Sequence, residues 1–398
     1  MQAVKRIAYS VGLNGAAAGA GLLGTALIIS HYGLAVFGNY VVDLSKLALI
    51  MLGLELLPSS YAQFRIQDDP EFARSTPAFF LLFGFVAVGA CAAMIVVGAM
   101  STASWFMLLH VFTYSLQRCF DTQILARGAV SLSVSMPLIS NVVRAVVLIA
   151  LMLFPVLPVN DALWASLASG SLATQITLAA RQPAYYRILI DNAPLRSLRY
   201  LATLRREYSG YYLNSVLKRA RDTLFPLFCD AVLPTKTELG KVLVFTRTNE
   251  TISGQVRVLE SFFIHRQTRA DLAKARRSIL LGSALLGHAA VIVVSTALLW
   301  NQGLTTSTIL YAAAIGLSMY PYVYELAKRS DAYARNAPHE VTFSILAFLG
   351  TLLGTLGLAW TFDALIPPVL IGCIVLGQTM SALVYFARDR IGRTRAAT

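Results

Sequence analysis

The residues of this chain with most to offer chemically are charges set inside long apolar runs. Six cations, Arg118, Arg144, Lys218, Arg221, Arg247 and Arg257, and two acids, Asp222 and Glu250, fall in stretches otherwise rich in Leu, Val, Ile, Ala and Phe. A charge at mid-bilayer costs about 2.5–3.5 kcal/mol or more, so such side chains must line a wet cavity or pair with one another. Lys218, Arg221 and Asp222 follow Asn214 at intervals of four, three and one, which puts them on one helical face. Arg247, Glu250, Gly254, Arg257 and Ser261 recur every three or four residues as a second polar stripe. Arg144 follows Ser140 and Asn141 by one turn. The cations outnumber the nearby acids, so a cavity they lined would be positive and would suit a phosphate or another anion. Asp222 and Glu250 are the acids placed to couple an ion. Asp43 with Lys46 and Arg118 with Asp121 have the i,i+3 spacing of ion pairs, which could equally hold helices together or line a cavity. Lys241 is expected to snorkel to the interface.

Other chemistries leave no trace. The four cysteines, Cys91, Cys119, Cys229 and Cys373, lie in apolar stretches without metal-ligand spacing, and read as buried packing thiols. No phosphate-binding glycine loop and no hydrolase or metalloprotease motif is present. The sequence gives no sign of an enzyme, a cofactor or a metal.

The elements that hold these charges follow from composition. Of 398 residues, 57% are hydrophobic and 13% charged, and the mean hydropathy is +0.64. A soluble domain carries about 25% charged residues. The chain therefore reads as an all-α polytopic membrane protein with little room for a soluble domain. Apolar runs place twelve spans at 7–31, 38–60, 77–99, 102–124, 133–157, 162–180, 210–233, 238–264, 277–299, 303–325, 338–360 and 364–387. A shift of 202 residues lays the first six spans on the last six. That gives an N-terminal bundle at 1–180, a cytoplasmic amphipathic linker at 181–209 and a C-terminal bundle at 210–398, related by a pseudo-two-fold axis.

With both termini inside, the inner segments hold 23 Lys and Arg residues and the outer loops only Lys236. This positive-inside bias fixes the orientation and supports the span count. It also accounts for the net charge of +13 without a nucleic-acid partner. Within the linker, Leu195, Leu198, Leu201 and Leu204 alternate with Arg196, Arg199, Arg205 and Arg206, as in a basic interfacial helix or a plain topogenic linker. Gly15, Gly19, Gly21 and Gly24, and Gly350 and Gly354, read as close-packing faces. Tyr320, Tyr322 and Tyr324 read as an interfacial belt, with stacking on a sugar as the rarer use.

The segment Tyr32-Gly33-Leu34-Ala35-Val36-Phe37-Gly38-Asn39-Tyr40 resembles the Gly…Phe-Gly-x-Tyr signature of bacterial polysaccharide flippases. These belong to the multidrug/oligosaccharidyl-lipid/polysaccharide exporter superfamily. The counterpart, Thr235-Lys236-Thr237-Glu238-Leu239-Gly240, is similar to that family's weaker second form. The resemblance implies a V-shaped twelve-helix exporter in a bacterial inner membrane, both termini cytoplasmic. It would move an undecaprenyl-diphosphate-linked oligosaccharide outward by alternating access, for surface polysaccharide biosynthesis. The implied partners are that polyprenyl-linked glycan, the lipid bilayer, and glycosyltransferases or a polysaccharide polymerase. Two other readings stay open: a cation-coupled multidrug exporter of the same superfamily, and a non-transporting scaffold for a polysaccharide synthesis complex.

Overall fold

The computed structural model describes residues 2–57, 61–62, 65–66, 69–126, 130–182, 194–264, 276–303, 305–335, 337–362 and 364–397. Among them the helices are α1 (Gln2–Ile50), α2 (Pro70–Val96), α3 (Phe106–Ala126), α4 (Val130–Leu153), α5 (Val159–Arg181), α6 (Pro194–Thr203) and α7 (Arg205–Val232). They continue with α8 (Lys236–Ile264), α9 (Arg276–Leu299), α10 (Thr306–Gly316), α11 (Met319–Ala334), α12 (Pro338–Thr361) and α13 (Pro367–Ala397). The short α6 apart, these supply the twelve expected spans, and the fold is all-α and polytopic. Six helical stretches among the described residues are long and apolar enough to cross a membrane. Helices α3, α7 and α8, which carry most of the singled-out charges, are not among those six.

Several boundaries differ from the expectation, each for a local reason. The first two spans run on as α1, broken at Gly33, whose φ of 86° and ψ of 169° are open to glycine and strained for other residues. The second span stops as α-helix at Ile50 and tightens into a 3-10 turn, Met51–Leu56. Leu57 is extended there, as expected of a residue preceding a proline, Pro58. The third span begins seven residues early, because Asp69 caps it by accepting from the Glu71 and Phe72 amides at 3.1 and 3.0 Å, with Pro70 in the first turn. The tenth span is two helices, α10 and α11, divided at Leu317 and Ser318. Pro321 cannot donate back to Leu317 and its ring crowds that carbonyl, so it is tolerated only in a new first turn.

By its internal contacts the chain divides into two compact units. The N-terminal unit holds Gly12–Tyr32 and Asn39–Thr223. In it α3 packs on α2 and α5, α4 on α5, and α6 on α2. Phe120, Ile124, Met136 and Leu178 form one buried cluster there. The C-terminal unit holds Met1–Val11, Gly33–Gly38 and Leu224–Thr398, with α8 against α9 and α11, and α12 against α13. The division in the second half falls inside α7, after Thr223. Large apolar side chains such as Phe85, Val146, Ile176, Leu286 and Leu353 remain exposed, as lipid-facing residues do.

Within the C-terminal unit the two signature segments meet. A Cβ on Gly240 would stand 2.2 Å from the Leu34 carbonyl oxygen, and one on Gly38 would stand 3.1 Å from the Gly240 amide. The motif glycines thus permit backbone contact between residues 33–38 and the first turn of α8. Gly21 faces Asn141 and Gly24 faces Arg144, but Gly15, Gly19, Gly350 and Gly354 meet no neighbour within 4 Å. The close-packing reading therefore fails for those last four.

Candidate functional site

In the N-terminal unit α4 carries Asn141 and Arg144 one turn apart. The Asn141 amide donates to the Ala17 carbonyl at 2.8 Å and so fixes α4 against α1. The Arg144 guanidinium then reaches Tyr40, donating to its hydroxyl at 3.3 Å, with Cζ 5.7 Å from the ring centroid. Tyr40 is itself buried and packs against Trp164, centroids 5.1 Å apart. Among the described residues Arg144 has no carboxylate partner, and its Nε is buried without a hydrogen bond. Its neighbours include the phenol and ring face of Tyr40, Gly24 and the buried imidazole of His110, none of them a carboxylate. Such a cation keeps its charge available to an anion.

The other candidates are neutralised or placed elsewhere. Arg221, 7% exposed, donates to Asp222 at 3.1 Å, while Asp222 is 38% exposed. Arg247 donates to Glu250 at 2.9 Å in the C-terminal unit. The two suggested ion-coupling acids are therefore the partners of two suggested substrate cations. Arg118 lies near Asp121, which also accepts from Gln117. Lys218 is half-buried on α7. The Arg257 side chain lies outside the described residues. Arg144 is placed with Lys218 and Arg221 in one unit, and Arg247 in the other.

Asp43 is fully buried and serves structure. It accepts from Lys46 at 3.0 Å and from the Thr102 amide and hydroxyl, and Lys46 also donates to the Ala99 carbonyl at 2.8 Å. Trp164 Nε1 closes the network on the Thr102 carbonyl at 2.7 Å. Sequence reasoning missed a second buried pair, Glu325 with Arg329 at 3.5 Å, where the Gln378 amide also donates to Glu325. The i,i+4 spacing of Glu325 and Arg329 was the available signal, but both residues sit where the apolar run gives way to a basic loop. Nearby, Asn249 and Ser318 exchange side-chain hydrogen bonds at 3.1 and 3.3 Å at the α10–α11 break. Tyr322 is buried and so packs inside the unit, while Tyr320 stands edge-on to His288 and is half-buried.

Residues 183–193 of the linker lie outside the described residues. Helix α6 docks on α2, burying Ser197 and Leu201, rather than lying with its leucines free for lipid. The Tyr200 hydroxyl donates to Asp69, which also pairs with Arg65 at 3.3 Å. Both partners flank the apolar spans. Burial raises the Asp69 pKa, but the Tyr200 hydroxyl, the Phe72 amide, Arg65 and the Glu71 amide together outweigh it and hold the carboxyl below its ordinary range. Burial and the Asp69 hydrogen bond push Tyr200 up to about 12.

No protein-family model matches the chain, and no curated protein matches it in sequence. Solved structures do. A transporter of the MOP superfamily from Pyrococcus furiosus, described as having a binding pocket of reverse polarity that suggests a different function, aligns with a TM-score of 0.68 at 12% identity. The alignment covers 100% of this chain and 96% of that one. The chain has the MOP transporter fold. A multidrug resistance MATE family transporter aligns in its inward-facing conformation with a TM-score of 0.63 at 14% identity, covering 98% and 96% of the two chains. A multidrug resistance MATE family transporter in an outward-facing conformation gives 0.62 at 14% identity, covering 98% and 94%. On this fold Arg144 is a cation of the apolar helix α4 with no carboxylate partner among the described residues, held by the tyrosine of the 32–40 segment.

Proposed function

We propose that the chain is a flippase for a polyprenyl-diphosphate-linked oligosaccharide, working by alternating access in a bacterial inner membrane with both termini cytoplasmic. The observation that carries the reading is Arg144, an arginine within the apolar helix α4 that, among the described residues, hydrogen-bonds to the Tyr40 hydroxyl and to no carboxylate. An arginine kept from acids suits a diphosphate, whose oxygens match its fork. The pairs Arg221–Asp222 and Arg247–Glu250 are further anion contacts in this reading, opened when phosphate displaces the carboxylate. Glycosyltransferases or a polymerase would supply and consume the glycan.

The test is surface glycan in cells carrying Arg144 variants. Arg144→Ala is expected to abolish it at normal protein level, and Arg144→Lys to restore it in part, since lysine keeps the charge without the bidentate fork. The multidrug reading is favoured by the inward- and outward-facing multidrug relatives that share the fold. It expects drug accumulation to rise when Asp222 or Glu250 is neutralised, with surface glycan unchanged.

A further inference from the structure

A polar cavity in the C-terminal unit is lined by none of the six candidate substrate cations, Lys241 being its one cationic neighbour among the described residues. It lies where the first turns of α8 and α10 meet the 3-10 turn after α9, and its volume is about 170 Å³. Sites for drug-sized molecules run from roughly 300 to 1,000 Å³, so this smaller one has room for a single ring at most. Its floor is aromatic: Tyr311 stands edge-on to the buried Phe245, centroids 6.2 Å apart. Its rim carries Glu238, Lys241 and Gln302, with the hydroxyls of Thr305 and Ser307, themselves 2.7 Å apart.

The rim is unusual in what it leaves unmade. Glu238 and Lys241 are three residues apart on one face of α8, a spacing that ordinarily pairs. They form no ion pair. The side chains of Glu238, Lys241, Gln302 and Tyr311 hydrogen-bond to no other described residue. A phosphate there would confront the carboxylate, and a cation would confront the ammonium. The ligand this mixture fits is neutral, offers donors and acceptors together, and has an apolar face for the aromatic floor. A sugar ring has all three properties.

We infer that this cavity is a binding subsite for a single sugar residue. The inference rests on the flippase reading and deepens it: the glycan gains a contact remote in sequence from Arg144. The loop-charge bias puts 234–237 and 300–302 on the outer side, so the subsite belongs to the translocated head group.

The experiment is saturation-transfer NMR on the full chain in nanodiscs with free glucose, galactose, mannose, rhamnose and N-acetylglucosamine as probes. At least one is expected to bind. Binding should weaken by about tenfold or more in Glu238→Gln/Gln302→Ala, a loss the size of a hydrogen bond to a charged group. It should persist in Arg144→Ala and be unaffected by inorganic phosphate. Absence of binding by all five sugars, full binding by the double variant, or displacement by phosphate overturns the subsite. A parallel translocation assay separates the two claims. Sugar binding in a protein that moves no lipid-linked oligosaccharide refutes the flippase reading alone, and translocation without sugar binding refutes the subsite alone.

Discussion

Asp43 and Arg144 are both charges in apolar helices of the N-terminal unit, and their surroundings give them opposite roles. Asp43 spends its acceptors on Lys46 and Thr102, so its removal strands a buried ammonium and a backbone amide. Asp43→Ala is expected to destabilise the protein by about 3 kcal/mol, read as a lower thermal midpoint in detergent. Arg144 keeps most of its donors unspent, so Arg144→Ala should leave that midpoint near wild type. A large stability loss in Arg144→Ala would mean that the residue is structural. The sequence marked both residues through their depth in apolar runs. It could not separate them, because the deciding partners, Thr102 and Tyr40, lie 59 and 104 residues away. The charges of Arg221 and Arg247 were equally legible, but spacing alone did not show that each would pair with the acid beside it.

At the scale of the elements, apolar run length sufficed for the existence of the spans, and local chemistry decided where they bend. Gly33, Pro58 and Pro321 are visible in the sequence, yet each sits beside apolar residues that extend the helical pattern across it. The contact of Gly240 with Leu34 gives a sharper test. Gly240→Ala puts a methyl group against a backbone oxygen and should cost about 1–3 kcal/mol of stability. Gly350→Ala and Gly354→Ala, which meet nothing, should be neutral or slightly stabilising in the same thermal scan. The docking of α6 on α2 should depend on pH. The folded Asp69 carboxyl lies below its ordinary value, so its contribution is present above the carboxylate range and fades as pH falls through the folded value. The Tyr200 hydroxyl lies above its ordinary value, so the contact persists at high pH until it ionises near about 12. The protection of α6 against hydrogen exchange, taken relative to the intrinsic rate at each pH, should therefore fall in acid, and Tyr200→Phe should flatten that dependence. An unchanged profile would place the stability of α6 in Leu201 and its apolar contacts alone.

For the whole molecule, the fold was legible because twelve spans and a strong bias of loop charge leave few topologies open. Sidedness can be checked directly, since all four native cysteines are buried and contribute little background. Cysteines at the exposed positions Arg199 and Asn301 should label from opposite faces of the membrane, the first from the cytoplasm. Labelling of both from one face would contradict the topology. The substrate was not legible from the fold, because polarity within the same framework is set by a few side chains such as Arg144. The measurement that meets the central claim most directly is translocation of a polyprenyl-diphosphate-linked oligosaccharide in proteoliposomes under an imposed potential. A head group with about two negative charges gains about 4–5 kcal/mol on leaving an interior held at −100 mV. The wild-type protein should move the glycan outward, faster with the interior negative, and Arg144→Ala should stop it. Translocation indifferent to both the potential and Arg144, or no translocation by the wild-type protein, would contradict this account.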